Sequence, residues 1–152
     1  MSSSGSTQFI TKRFEGIQAI AFDLDGTLVD SASGLAAAMD KAMKELGLPI
    51  PGLERVKNWI GNGADMLVNR ALVWADQEPT DALCQRTRAA FDFYYVSTVE
   101  TGSQLYHEVA QTLASLSRHG YLLALITNKP TPFVRPLLIS LGIDGYFTHI
   151  VG

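Results

Sequence analysis

The chain has 152 residues, 47% hydrophobic and 18% charged, the composition of an ordinary globular protein with length for about one domain. A net charge of -3 gives no basic footprint for nucleic acid or an anionic membrane, and apolar runs such as Tyr121 to Ile126 fall far short of the roughly 20 residues that a membrane helix needs. A single cysteine, Cys84, rules out an intrachain disulfide, and His107, His119 and His149 are too scattered for zinc-ligand spacing.

Residues 1–16 open with Met-Ser-Ser-Ser-Gly-Ser and read as a flexible tail. They lack the apolar core of a signal peptide, so a cytoplasmic protein is expected. Ile17 to Phe22 reads as a mostly buried strand that runs into Asp23-Leu24-Asp25-Gly26-Thr27. In extended backbone, residues i and i+2 share a face, so the Asp23 and Asp25 carboxylates can border one small volume just past a strand's carboxyl end. Two such carboxylates repel, and oxygen ligation of this kind suits Mg²⁺, which takes one or two carboxylates together with waters and phosphate oxygens. The alternative is a plain polar turn.

After Ser31 or Ser33 as cap, Leu35, Ala36, Met39, Met43 and Leu46 repeat near the helical period, and Gly47, Pro49 and Pro51 end the helix. Leu53 to Ile60 predicts a second helix, broken at Gly61-Asn62-Gly63. A third carries Leu67, Ala71 and Trp74 with Arg70 beside them, and a fourth runs from Asp81 through Phe91, Tyr94 and Tyr95 toward Val99. Residues 31–102 are thus expected to form an all-helical insertion, with Trp59 and Trp74 in its core. Val109, Leu113 and Leu116 then predict a helix. Tyr121 to Ile126 reads as a fully buried strand, followed by Thr127-Asn128-Lys129, a helix with Val134, Leu137, Leu138 and Leu141 on one face, and a last strand from Phe147 to Val151.

In a parallel sheet, Thr127, Asn128 and Lys129 share the edge of Asp23 and Asp25. Hydroxyl, amide and amine donors there suit the oxygens of a phosphoryl group. The alternative for the same three residues is an ordinary helix start before Pro130.

The run Ala21 to Ser31 resembles the first motif of the haloacid dehalogenase-like hydrolase superfamily, and the strand ending in Thr127 is similar to its second. Trp59-Ile60-Gly61-Asn62-Gly63-Ala64-Asp65 and Thr127-Asn128-Lys129-Pro130-Thr131-Pro132 look like the bacterial phosphoglycolate phosphatases of that superfamily. The resemblance implies a Rossmann-like α/β core with a parallel sheet, incomplete at three strands, formed by residues 17–30 and 103–152 around a helical cap of residues 31–102. It implies a Mg²⁺-dependent phosphatase acting on a small phosphorylated metabolite such as 2-phosphoglycolate. Asp23 would be the nucleophile and a metal ligand, Asp25 the general acid/base and a metal ligand, and Thr127, Asn128 and Lys129 the phosphate-binding residues. Asn62 and Arg70 are candidates for the cap face that meets substrate, although Arg70 serves equally as a solvated or salt-bridged helix residue. The family's later lysine and acidic motifs have no counterpart before Gly152. The chain is therefore expected to be a truncated form with weak or absent activity, with its first strand left as an apolar edge open to self-association.

Overall fold

The computed structural model describes residues 16–152; the expected tail therefore lies, apart from Gly16, outside the described residues. Strand β1 (Ala19–Phe22) is followed by a two-residue strand β2 (Val29–Asp30), then by helices α1 (Ala32–Glu45), α2 (Leu53–Lys57), α3 (Ala64–Trp74) and α4 (Asp81–Thr98). A short strand β3 (Gln104–Leu105) returns the chain to α5 (Val109–Arg118), β4 (Leu122–Ile126), α6 (Thr131–Ser140), a 3-10 turn at Asp144–Tyr146 and β5 (Phe147–Val151). Among the described residues the main sheet has three parallel strands in the order β1-β4-β5, with Ala19 opposite Leu122 and Ala21 opposite Ala124. The architecture is the α/β parallel sheet with inserted helices that the pattern predicts.

Two strand expectations need correction. β1 is an edge whose residues alternate between exposed and half-buried, and β4 buries only Leu123 and Leu125 while Leu122 and Ile126 are more than half exposed. The connections β1 to β4 and β4 to β5 step the same way across the sheet, and right-handed crossovers then place α5 and α6 on one face. Among the described residues the other face, with Ile17, Leu122, Ile126 and Val151, stays open. A short apolar run looks the same whether one face or both are covered.

The helices follow their apolar periods. α1 packs chiefly on α4, burying Met39, Met43, Phe91 and Tyr95 in a core that continues through Leu24 and Leu125 to Leu137. Trp59 and Trp74 lie against that core as expected, 6.1 Å apart, with the Arg55 guanidinium 4.9 Å over the Trp74 ring. The second helix is shorter than its period suggested, ending at Lys57 in a turn. Cys84 is half-buried on α4.

The small antiparallel pair β2–β3 escaped the sequence pattern, since Val29–Leu105 and Asp30–Gln104 are contacts between distant segments. It draws the two ends of the helical insertion together. There Gly34 N–H donates to Gly102 O at 3.0 Å and Thr98 Oγ1 donates to Gly34 O at 2.9 Å. A Cβ on Gly102 would stand 2.2 Å from the Gly34 Cα, so both positions need glycine for close approach.

Candidate active site

Asp23 and Asp25 are presented by a tight loop closed on the residue between them. Leu24 is fully buried, and its carbonyl accepts from the N–H groups of Thr27, Leu28 and Val29 at 3.2, 3.0 and 3.1 Å. Gly26 makes the turn at φ +80°, where an L side chain would be strained, and its N–H reaches Val29 O at 2.9 Å. With Leu24 plugged into the core, its flanking carboxylates project together onto one cavity, as the spacing predicts.

The same cavity is bordered by Thr127, Asn128 and Lys129 from the end of β4, and by Gly61, Gly63 and Tyr95 from the helical insertion. Thr127 is buried and its Oγ1 accepts the Lys129 N–H at 3.1 Å, while its own N–H continues the ladder to Val151 O at 2.9 Å. Thr127 therefore caps its own turn and leaves the start of α6 without a side-chain cap. Asn128 is exposed, and its Nδ2 donates across to Gly61 O at 3.1 Å, joining the helical insertion to the strand end. The cavity is small, about 30 Å³, enough to hold a water, and the Asn128 to Gly61 contact stands at its border.

Lys129 differs most from expectation. Its ammonium is almost fully buried and already held: Nζ donates to Asp25 Oδ1 at 2.9 Å, to Oδ2 at 3.2 Å and to the Tyr95 hydroxyl at 2.5 Å. It is not a free phosphate-binding cation in this conformation. Burial pushes the Lys129 ammonium below the usual lysine range, and Asp25 pulls it partly back. Burial first, and then the Asp25 charge, raise the Tyr95 phenol well above its ordinary value, keeping it neutral. Tyr95 is the site residue that the sequence did not single out. The available signal was its place on the buried stripe with Phe91, because a buried tyrosine hydroxyl has to find a partner.

Asn62 and Arg70 are not brought to the cavity. Arg70 Nη1 donates to Trp59 O at 2.7 Å and Nη2 to Asn62 Oδ1 at 2.9 Å, so the two brace the 59–62 turn against α3. Arg70 is thus held by neutral oxygens and, among the described residues, not by a salt bridge.

Among the described residues no three His, Cys, Asp or Glu side chains converge. The oxygen donors that are present, Asp23 with its exposed carboxylate and Asp25 beside it, have the hard character that Mg²⁺ prefers.

A parallel sheet edge carrying paired aspartates opposite a Thr-Asn turn defines a class. Residues 20–152 match the family model described as haloacid dehalogenase-like hydrolase, and the chain belongs to that family. Within it, the chain is 58% identical over 140 residues to the phosphoglycolate phosphatase of Yersinia pestis, covering 92% of this chain and 60% of that protein. It is 49% identical over 157 residues to the phosphoglycolate phosphatase of Escherichia coli strain K12, covering 92% and 62%. A crystal structure from Haemophilus somnus, described as a predicted phosphoglycolate phosphatase, superposes with a TM-score of 0.83 at 42% identity over 90% of this chain and 62% of the other. The chain thus spans about 60% of the length of these curated relatives.

Proposed function

We propose that this chain carries the nucleophile and phosphate-binding segments of a Mg²⁺-dependent phosphatase acting on a small phosphorylated metabolite, with 2-phosphoglycolate the preferred substrate. The observation that carries this reading is the convergence of Asp23, Asp25, Thr127 and Asn128 on one cavity at the carboxyl ends of parallel strands. Identity to proteins named phosphoglycolate phosphatase supports the substrate.

An Asp23 Oδ attacks phosphorus while the ester P–O bond breaks, and the departing alkoxide takes a proton from Asp25. Water then loses a proton to Asp25 and attacks the aspartyl-phosphate, the P–O bond to Asp23 breaks, and inorganic phosphate leaves. Dividing the displacement in two makes each step easier. The Thr127 hydroxyl and the Asn128 amide hold the equatorial oxygens. Mg²⁺ would be held by Asp23 with Asp25, and it supplies neutralisation of the phosphoryl charge. An ion-paired Asp25 is set for the base step, whereas its acid step requires leaving Lys129. Residues 17–30 and 103–152 act as the phosphatase core in this reading, and residues 31–102 as a cap that excludes water when closed over it.

Asp23→Asn tests the reading. Because turnover of this chain is expected to be weak, the readout is the acid-stable phosphoryl label left by 2-phosphoglycolate with Mg²⁺, expected on the unsubstituted chain and lost in the variant. A label that persists in the variant would remove Asp23 from the nucleophile's role.

A second reading, association between copies, is favoured by the outer edge of β1, unpaired among the described residues, and by the apolar face beside it. Sedimentation velocity is expected to detect concentration-dependent dimers, and Ala21→Lys, a charge placed on that edge, to return the chain to monomer.

A further inference from the structure

A larger cavity, of about 300 Å³, adjoins the first, and Asp25 belongs to the wall of both. Its other polar walls are Asp30, Ser31, Lys57 and Tyr106. Ser31 is 2% exposed, and its hydroxyl has no hydrogen-bond partner among the described residues. A buried hydroxyl left unpaired is costly to the fold, so a wall group of this kind is set for a partner from outside the chain.

The charges around this cavity are unequal in availability. Asp25 is neutralised by Lys129, and Asp30 Oδ1 accepts the Ala32 N–H at 3.2 Å, at the start of α1. Lys57, on α2, is held only by Glu54 three residues earlier, at 3.1 Å, with the side chains 47% and 85% exposed. Such a solvated pair exchanges readily for a better partner. Lys57 is thus the one lining cation that can be given up to a ligand, and Ser31 the one buried lining hydroxyl with a donor to spare.

We propose that this second cavity takes the leaving-group half of the phosphomonoester, with Lys57 and Ser31 receiving a carboxylate on the departing alcohol. This rests on the phosphatase reading, in which Asp25 protonates the ester oxygen. That oxygen must therefore lie at Asp25, and what it carries extends into space that Asp25 also borders. The first cavity, a tenth of the volume, is walled by Thr127 and Asn128, which hold the phosphoryl oxygens in this reading, and by Lys129, whose ammonium Asp25 and Tyr95 already hold, so it has no lining cation to spare for a carboxylate. Lys57 accordingly acts as a specificity residue, distinguishing a two-carbon phosphorylated acid from an uncharged ester of the same length.

The test compares binding of 2-phosphoglycolate and ethyl phosphate to the 152-residue chain with Mg²⁺, by calorimetry and by NMR titration. The wild-type chain is expected to prefer 2-phosphoglycolate about tenfold, one charge-assisted hydrogen bond in scale. Lys57→Met should erase that preference with ethyl phosphate affinity unchanged, and Lys57→Arg should restore it. Lys57 lies on a short exposed helix, so folding is not at issue. Equal wild-type affinity for the two esters, or a preference that survives in Lys57→Met, overturns the assignment and leaves the phosphatase reading standing. Failure of the wild-type chain to bind either ester overturns both.

Discussion

Gly102→Ala is expected to destabilise the fold by about 3 kcal/mol or more, the upper end of the cost of overpacking. The added Cβ would lie 2.2 Å from Gly34 Cα, 2.3 Å from Gly34 N and 2.9 Å from Thr98 O. All three are backbone atoms, which no rotamer change can move aside. Gly34→Ala meets the same wall from the other side, at 2.6 Å from Thr98 O. For a chain of this size, a melting temperature about 10 °C lower would be the readout. Gly145→Ala serves as control, because a Cβ there meets nothing within 4 Å, and its effect should stay within about 0.5 kcal/mol. Equal melting of the Gly102 and Gly145 variants would mean that the Gly34 to Gly102 approach is not needed for folding.

Lys129→Met keeps the apolar stem and deletes the charge. It leaves the Asp25 carboxylate, whose side chain is 13% exposed, and the buried Tyr95 hydroxyl without their common partner. Removing one member of a buried pair costs about 3–5 kcal/mol, and the partial exposure of Asp25 places the expectation near about 3 kcal/mol at pH 8. Urea unfolding at pH 8 measures the deficit, and a loss below about 1 kcal/mol would mean that the Asp25 carboxylate is not stranded by the change. In the Tyr95→Phe background the cost should be less than additive, since both changes touch one network.

Much of the site was legible because strand geometry is local. The i, i+2 spacing of Asp23 and Asp25 and the shared edge of Thr127 and Asn128 follow from backbone alternation and parallel topology, and both appear in the structure. The helices were legible from period. What was lost depends on contacts between distant residues. Tyr95 and Lys129 are 34 positions apart, and Gly34 meets Thr98 across 64, so neither pairing leaves a mark in a local window. The company of Thr127 and Asn128 points Lys129 to phosphate, but its long flexible stem turns the ammonium to Asp25. Polarity alone suggests a substrate role for Arg70 and Asn62, whereas nearer backbone and amide oxygens hold the guanidinium. Apolar character likewise says that β1 and β4 can be covered, and crossover direction decides on which side.

The helical segment departs after β2 and returns at β3, and both ends are clasped at the Gly34–Gly102 crossing. As the cap of the proposed reading, the helical segment would have this clasp as its fulcrum and the long α1–α4 pair as its arm. At the far side the hydrogen bonds to the strand end are Asn128 to Gly61 and Lys129 to Tyr95. In that reading, access to the cavity beside Asp23 is governed at a distance, by side chains that never approach phosphorus. Substitutions beside the fulcrum that preserve the fold would act on the rate of opening and leave the chemistry of the two aspartates untouched.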